Sequence, residues 1–535
     1  MVVKCFKNWI GVEFLEKLSS LQKIGQRFAA GFPSYEISDD YVRLVKEYKI
    51  GNVILFKENI KSKEQLSALC VKLQALIQRE TGHPAFIAID QEGGVVSRLS
   101  SDAAVTPSAM AIAATGNVQN AYEAGLITGR ELMAMGVNMN LAPDMDVNSN
   151  PRNPVIGVRS YGDTAEAVGS FGVQMIHGLR DAGVLCTAKH FPGHGDTAVD
   201  SHLGLPSVDK TLEELKACEL KPFQAAIQAG VSAVMTSHIL FPRLEPDGLP
   251  ATMSRRIITD LLKNELGFSG LVLSDCMMMN AIQGHFGTVN GCLMAAKAGV
   301  DLIFISHSRE LAGEAARAML EAYENGGLDR DEMDASVQRM IRFKEDMLKR
   351  TVPDLRVVGC EANREAVSRM MAEAVTEVNV PPAGRPELGA SPLFLGCYPF
   401  RPTIASNPED QGISFPRFMA ERLGGDFLMT SIDPVKEEIK AAEKAAAGHS
   451  CLVVGTYNGH LKPGQTGLVK ALCLTGIPVV CVALRNPYDL TDLPLNVYAL
   501  AAYAYDDLSL NAIANVLSFK AQAPGRLPVT LPKHR

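Results

Sequence analysis

Three histidines, two aspartates and a lysine stand close together in the stretch AKHFPGHGDTAVDSH, from Ala188 to His202. The whole chain of 535 residues contains only 11 histidines, so this density of titratable groups indicates chemistry. Pro192, Gly193 and Gly195 interrupt the stretch, which is typical of a loop. Three uses are open for these side chains: metal ligation, sugar binding and proton transfer.

Asp200 and His202 lie at the end of this stretch, separated by one residue. In an extended or turned segment, side chains two residues apart can point to the same side, so the carboxylate can bond one imidazole nitrogen. Such a carboxylate fixes the tautomer of the imidazole and stabilises its charged form, which suits proton transfer near neutral pH. We therefore predict that His202 is a general acid/base with Asp200 as its partner. The alternative is structural, with Asp200 tethering a loop and His202 solvated.

A metal site is the other chemical interpretation of the cluster. His190, His194, Asp196 and His202 would supply enough nitrogen and oxygen ligands for zinc. The Pro-Gly pair between them precludes the helical spacing of an HExxH site, and no thiolate is near in the sequence. We predict no metal and no cofactor, and we expect Asp196 and Thr197 to shape the loop.

Asp275 closes the apolar run of LVLSDCMMM. One interpretation is a helix cap, a common role for aspartate before a helix. The other is a carboxylate nucleophile, partly shielded by methionine side chains and directed at an electrophilic carbon. The methionines that follow are typical of core packing.

Eight short apolar runs alternate with amphipathic helical stretches up to about residue 350. The runs are 24–32, 51–56, 85–90, 137–143, 185–191, 233–238, 270–275 and 301–306. Segments between them, such as 62–80 and 211–230, repeat their apolar residues at intervals of three and four, which indicates helices. Eight β-then-α units predict a closed (β/α)8 TIM barrel of parallel strands.

Active sites of such barrels lie at the carboxyl ends of the strands. Polar residues end or follow five of the eight runs: Asp90, Lys189 with His190, His238, Asp275, and Ser306 with His307. Each of them, taken singly, is explained equally well by a strand end that meets water. Five together predict a site at this face of the barrel.

A stretch rich in proline and glycine, 381–392, follows two predicted helices at 329–350 and 362–375. Beyond it, about five apolar runs alternate with helical segments, which predicts a smaller C-terminal α/β sandwich domain with a doubly wound sheet. The predicted organisation is a catalytic barrel over 1–350, a helical linker over 351–390 and the C-terminal α/β domain over 391–535.

The composition is that of a mildly acidic globular protein, with a formal net charge of -7, 47% hydrophobic residues and 21% charged residues. The chain has no polybasic run, so we predict no nucleic-acid partner and no membrane partner. The N-terminal residues lack an uninterrupted apolar segment, and the 11 cysteines form no CxxC pair. We expect reduced thiols, a cytoplasmic location, a small-molecule substrate and a monomer or homodimer.

Six motifs occur in order along the barrel segment: LFKENI, AIDQEGGVVSRL, NLAPDMDV, NPVIGVRSYG, KHFPGHGDTAVDSH and LVLSDCMMMNAI. With them the chain resembles the family 3 glycoside hydrolases, and in particular their bacterial two-domain β-N-acetylglucosaminidases. The likeness continues through LRNPYDL (484–490) and GRLPVT (525–530), so it covers nearly the whole chain.

The resemblance implies a role for each matching residue. In the family, the aspartate that matches Asp275 attacks the anomeric carbon and forms a covalent glycosyl-enzyme, while the pair that matches Asp200 and His202 supplies the general acid and base. Family residues that bind the hydroxyls of the terminal sugar match Asp90, Arg98, Arg159, Lys189 and His190.

The implied function is that of a retaining exo-β-N-acetylglucosaminidase, with GlcNAc-containing peptidoglycan (muropeptide) fragments as substrates. Many β-glucosidases of the family carry tryptophan where this chain has Cys276, which weighs against a plain β-glucosidase. Three alternatives stay open. A phosphorylase is one, because a histidine in place of a carboxylate removes repulsion against incoming phosphate. The others are a catalytically silent sugar-binding protein and a metal-dependent hydrolase.

Overall fold

The computed structural model describes residues 18–198, 204–400, 406 and 412–532. Eight parallel strands close into a barrel in chain order, with β8 beside β1. The strands are β1 (Phe28–Ala30), β2 (Asn52–Leu55), β3 (Phe86–Ile89), β4 (Met139–Asn140), β5 (Leu185–Phe191), β6 (Ala233–Thr236), β7 (Leu271–Cys276) and β8 (Leu302–Ile305). Each strand overlaps one of the predicted apolar runs, and the predicted (β/α)8 barrel is confirmed.

Helices connect the barrel strands and cover them from outside. They are α1 (Ser20–Gln26), α2 (Asp39–Tyr48), α3 (Lys63–Thr81), α4 (Ala109–Ala114), α5 (Val118–Ala134), α6 (Ala165–Asp181), α7 (Leu212–Ala217), α8 (Leu220–Gln228), α9 (Arg256–Glu265, with π-helical hydrogen bonding), α10 (Asn280–Gln283), α11 (Thr288–Ala298), α12 (Arg309–Glu324) and α13 (Arg330–Met347). Side-chain caps fix several starts: Ser62 accepts from the Gln65 amide before α3, and Thr164 accepts from the Ala167 amide before α6.

A second sheet of six strands follows the barrel, in the order β11-β10-β12-β13-β14-β9. Its strands are β9 (Thr376–Asn379), β10 (Pro392–Gly396), β11 (Asp426–Met429), β12 (Cys451–Thr456), β13 (Val479–Ala483) and β14 (Val497–Ala501). The helices are α14 (Glu361–Ala374), α15 (Phe415–Leu423), α16 (Lys436–Ala445), α17 (Pro463–Leu472) and α18 (Asp507–Leu517). Apolar clusters lie on both faces of this sheet, as predicted for an α/β domain.

The strand β9 was not predicted from the sequence. This strand pairs antiparallel with β14 at the edge of the second sheet, within the segment predicted as a helical linker. The predicted boundaries at 350 and 390 stay predictions.

One apolar cluster joins the two halves of the molecule. Met110 of α4 and Val158, which follows β4, pack in the same cluster as Leu395 and Cys481 of the second sheet. The second domain therefore contacts loops at the carboxyl ends of the barrel strands. Among the described residues, no helix combines the length and apolarity that a membrane crossing requires.

Candidate active site

A cavity of about 360 Å³ opens at the carboxyl ends of the barrel strands. Its volume is near the lower end of the range of about 300–1,000 Å³ that is usual for small-molecule sites. Six of the predicted site residues line it: Asp90, Arg98, Arg159, Lys189, His190 and Asp275. The fold thus brings together side chains from β5, from β7 and from the segments that follow β3 and β4.

Ion pairs organise the charged wall of this pocket. The Lys189 ammonium lies 2.7 Å from Asp90 Oδ1 and 2.7 Å from Glu92 Oε1. The Arg159 guanidinium donates to both oxygens of Glu92, each at 2.8 Å, in the bidentate geometry that suits a carboxylate. Glu92 therefore holds two cationic side chains in place, with their positions fixed before any ligand arrives.

The charges in this wall stabilise one another. Burial would raise the pKa of Glu92, but Arg159 and Lys189 outweigh it and hold that pKa far below the ordinary range. Burial would lower the pKa of Lys189, but Asp90 and Glu92 raise it above its usual value. These shifts keep Glu92 and Lys189 charged, and the wall presents preorganised donors and acceptors that suit recognition of vicinal hydroxyl groups.

His190 is held from behind by Asp146. The His190 ring nitrogen Nδ1 lies 2.7 Å from Asp146 Oδ2, and the His194 amide donates to Asp146 Oδ1 at 2.6 Å. His190 Nε2 lies on the other side of the ring, 3.4 Å from Arg159 Nη2. Asp146 thus fixes the orientation of the ring and presents Nε2 towards the pocket.

Asp144 and Asp146 form a buried pair with opposite pKa shifts. Burial and the neighbouring Asp146 raise the pKa of Asp144 well above the usual range. Burial also acts on Asp146, but the contacts with His190 and His194 hold its pKa below the ordinary value. The arrangement favours a neutral Asp144 beside an ionised Asp146.

Asp144, Asp146 and His190 are close enough to ligate one cation, the one such group found among the described residues. Their donor set does not fit a metal well. Asp146 already accepts three hydrogen bonds from His190 and His194, and the Arg159 guanidinium lies 3.5 Å from Asp144 Oδ2. The arginine supplies the positive charge that a metal would bring, so we assign no step to a metal here.

Asp275 lies in β7 on the side of the pocket opposite these ion pairs. Its Oδ1 accepts from the Cys276 amide at 2.6 Å. Asp275 is not the cap of the following helix, because α10 begins at Asn280 and Met279 holds the N-cap position. The helix-cap interpretation is therefore wrong, and the carboxylate lies at the pocket.

Apolar side chains complete the wall around Asp275. Met278 and Met279 follow it, and the rings of Phe56 and His307 lie 4.7 Å apart between centroids. His238 is not among the residues that line the pocket. Its ring nitrogens contact Thr252 Oγ1 and the Cys276 carbonyl oxygen, so its role is to support the β6 and β7 ends.

The loop after β5 is anchored at both of its described flanks. Asn153 donates to the carbonyl oxygens of His194 and Gly195, while Lys210 bridges Asp196 at 2.8 Å and the buried Glu219 at 2.5 Å. Asp196 thus has the loop-shaping contact that was predicted. Asp200 and His202, the predicted acid/base pair, lie outside the described residues.

Glu92, Asp144 and Asp146 are the site residues that sequence reasoning missed. Two signals were available for them. Glu92 follows the same strand as Asp90 in AIDQEGG, and the two aspartates follow β4 with a spacing of two in NLAPDMDV.

Residues 15–343 match the family model described as glycosyl hydrolase family 3 N terminal domain. The chain belongs to glycosyl hydrolase family 3. It is similar to beta-hexosaminidase A of Pseudoalteromonas piscicida, with 31% identity over 548 residues that cover 91% of this chain and 90% of that one.

Two further relatives agree with this. A beta-hexosaminidase of Thiobacillus denitrificans is 35% identical over 285 residues, which cover 52% of this chain and 77% of the relative. The solved structure of a glycoside hydrolase family 3 beta-N-acetylglucosaminidase from Paenibacillus sp. str. FPU-7 superposes with a TM-score of 0.88 at 37% identity, over 97% of this chain and 100% of that one. This family 3 protein is thus a glycoside hydrolase with the barrel and the second domain in one chain.

Proposed function

We propose that this family 3 protein is a retaining exo-β-N-acetylglucosaminidase, with Asp275 as its nucleophile. The observation that carries the proposal is the shape of the pocket, in which one carboxylate, Asp275, faces a preorganised wall of ion pairs across a cavity of about 360 Å³. A cavity of this size suits a single terminal sugar. The names of the relatives favour a β-linked N-acetylhexosamine as that sugar.

In the first step, a protonated His202 donates its proton to the glycosidic oxygen while an Asp275 oxygen attacks the anomeric carbon. The bond between that carbon and the leaving oxygen breaks, and a glycosyl ester of Asp275 forms. In the second step, neutral His202 takes a proton from water, the water oxygen attacks the same carbon, and Asp275 leaves. Asp200 is the partner that stabilises the charged imidazole. Two inversions at one carbon retain its configuration.

Recognition of the sugar falls to the wall opposite Asp275. Asp90, Arg98, Arg159, Lys189 and His190 are the proposed hydroxyl-binding groups, supported by their common location at the pocket. The natural substrates we propose are GlcNAc-containing fragments of peptidoglycan.

Turnover of an aryl β-N-acetylglucosaminide tests the assignment. We expect Asp275→Ala and His202→Ala to lose at least about 100-fold in kcat, since a general acid alone contributes about 100- to 10,000-fold. Asp346→Ala and His177→Ala are matched controls on α13 and α6, away from the pocket, and should keep the native rate. Native turnover in Asp275→Ala or in His202→Ala would overturn the proposed roles.

Two further measurements distinguish the proposed activity from a glucosidase and from a phosphorylase. Aryl glycosides that differ only at C2 should show a clear preference for the N-acetyl sugar, and a preference for glucose would refute the proposed specificity. Products formed in phosphate buffer should contain free sugar; accumulation of the sugar 1-phosphate would identify a phosphorylase instead.

A further inference from the structure

A second cavity, of about 390 Å³, lies at the opposite end of the barrel. Two of its lining residues mark its place in the fold, since Arg27 directly precedes β1 and Asp301 directly precedes β8. The cavity therefore lies at the amino ends of the barrel strands, on the far side of the barrel core from Asp275. We call it the basal cavity.

The basal cavity is lined by more cations than anions. Its ionisable lining residues are Arg27, Arg255, Lys263, Lys297 and Arg339, against Asp301, Asp329 and Glu332. Five positive and three negative side chains leave a formal excess of two positive charges. This excess stands out in a chain whose net charge is -7.

Asp301 is shared among several partners at the inner end of the cavity. Its carboxylate lies 2.6 Å from Arg339 Nη1, and it also accepts from the Ser336 hydroxyl at 2.7 Å. The Lys263 ammonium lies 4.0 Å away. A single fully buried carboxylate thus serves more than one cation, and its Oδ2 also accepts from the Val272 amide at 2.8 Å.

Arg27 and Lys263 are stabilised mainly by neutral oxygens. Arg27 is 1% exposed and donates to the carbonyl oxygens of Val300 and Asp301, without an ion pair to any described residue. Lys263 donates to the Gly299 carbonyl at 2.6 Å. Burial lowers the pKa of Arg27 to about 10 and lowers that of Lys263, against the pull of Asp301. Buried charge of this kind favours an additional anion.

The two remaining acids of the cavity already have partners. Glu332 pairs with Arg255 at 2.6 Å, and Asp329 caps α13 by accepting from the Glu332 amide. Lys297 at the rim is exposed, and its ammonium has no ion pair among the described residues. The rim therefore offers one cation that is available to a ligand.

We propose that the basal cavity binds a small oxyanion with two negative charges, either inorganic phosphate or the phosphate group of a monoester. Two charges match the excess of the lining, and the volume lies within the range of about 300–1,000 Å³ usual for ligand sites. A phosphate monoester carries close to two negative charges at neutral pH, because its second pKa is about 6. The proposal is independent of the catalytic roles proposed above.

Thermal unfolding of the full chain in phosphate tests the proposal. At constant ionic strength, replacing chloride with inorganic phosphate should raise the unfolding midpoint by several degrees. The same measurement in glucose 6-phosphate shows whether a monoester raises the midpoint further. Lys297→Met should reduce the shift to less than half while leaving the midpoint in chloride unchanged, because this side chain has no described ion pair. Lys72→Met, an exposed lysine on α3, is the matched control and should keep the whole shift.

Lys263→Met is a second variant inside the cavity. The quantity to compare with the native chain is the difference between its unfolding midpoints in phosphate and in chloride. Equal shifts in the native chain, Lys297→Met and Lys263→Met would place phosphate elsewhere, including the catalytic pocket, and would overturn the proposal. The absence of any shift in the native chain would do the same.

Discussion

At the scale of single residues, Glu92 determines whether the charged wall exists. Replacing it with glutamine leaves Arg159 and Lys189 buried with less compensation, and removing one partner of a buried ion pair costs about 3–5 kcal/mol. We predict that Glu92→Gln lowers the free energy of unfolding by about that much at pH 7. Chemical denaturation measures it, with Glu166→Gln as a control at an exposed ion pair, where little change is expected because solvent screens the charges.

The pH dependence of this effect has a definite sign. Because the pKa of Glu92 is lowered in the folded state, its contribution is fully present above its ordinary pKa of 4.5 and is lost as the pH falls through the lower folded value. The difference between Glu92→Gln and the native chain should therefore be constant from pH 7 to 5. A difference that already disappears near pH 6 would contradict the ionised network.

Replacement of His190 and replacement of His202, the first and last histidines of the stretch from Ala188 to His202, should change different kinetic constants. We expect His190→Ala to raise KM with a smaller effect on kcat, because His190 is proposed to bind the sugar. His202→Ala should lower kcat with a smaller effect on KM, because His202 is proposed to move the proton. Steady-state kinetics on one aryl substrate separate the two outcomes, and the same pattern in both variants would refute the division of roles.

The residues whose location could be predicted from the strand pattern alone are those that end a strand. Asp90, Lys189 and Asp275 follow apolar runs, so the barrel topology alone brings them to one face. Glu92 could not be assigned a role in this way. Its importance depends on the 2.8 Å contact with Arg159, which is 67 residues away, and no local spacing encodes that distance.

At the scale of elements, α13 carries a lysine into the base of the barrel. Lys344 is fully buried, donates to Gln26 Oε1 at 2.5 Å and to the Gly51 carbonyl at 3.0 Å, and lies 5.0 Å from the centroid of the Phe86 ring. Burial lowers its pKa well below 10.5. The unfolded chain then binds a proton that the folded chain does not, so stability should rise with pH in the range below 10.5.

Lys344→Met should remove this part of the pH dependence. We expect the free energy of unfolding of the native chain to increase more steeply between pH 8 and pH 10 than that of the variant, as measured with urea. Lys72→Met should keep the native slope. Parallel curves for Lys344→Met and the native chain would mean that the buried ammonium stays charged.

The elements that could be predicted are those with a buried apolar pattern. All eight barrel strands have at least one buried side chain in an apolar run, and their order along the chain fixes a parallel barrel. β9 could not be predicted because it is an edge strand, in which Glu377 is exposed and Asn379 half-buried. Its antiparallel pairing with β14 supplies the stability that its composition does not.

At the scale of the whole molecule, the second domain supports the turn that carries Arg159. The Tyr488 hydroxyl accepts from Asn148 Nδ2 at 2.8 Å, and Asn148 Oδ1 accepts from the Gly157 amide at 3.2 Å. Gly157 begins the short helical turn Gly157–Arg159. Its φ is +47°, and a Cβ at this position would lie 2.6 Å from Asn486 Oδ1, so both the backbone and the space favour glycine. The second domain thus positions a pocket residue, although none of its described residues lines the pocket itself.

We predict that Tyr488→Phe raises KM several-fold with little change in kcat, because it loosens a binding group rather than a reacting one. Tyr498→Phe is the matched control. It also loses one hydroxyl contact, to Glu377 at 2.7 Å within the second domain, and should change stability by about 1 kcal/mol without changing KM. Equal KM values in the two variants would show that the contact across the domains does not affect the site.

The apolar cluster that contains both Met110 and Cys481 couples the unfolding of the two domains. Neither half can unfold while the other keeps its buried surface, since each supplies part of the other's interior. Calorimetry should therefore record one cooperative transition for two domains, with a calorimetric enthalpy equal to the van't Hoff enthalpy. Two resolved peaks would show that the halves melt independently; a single peak would mean that a mutation in either sheet lowers the melting temperature of both.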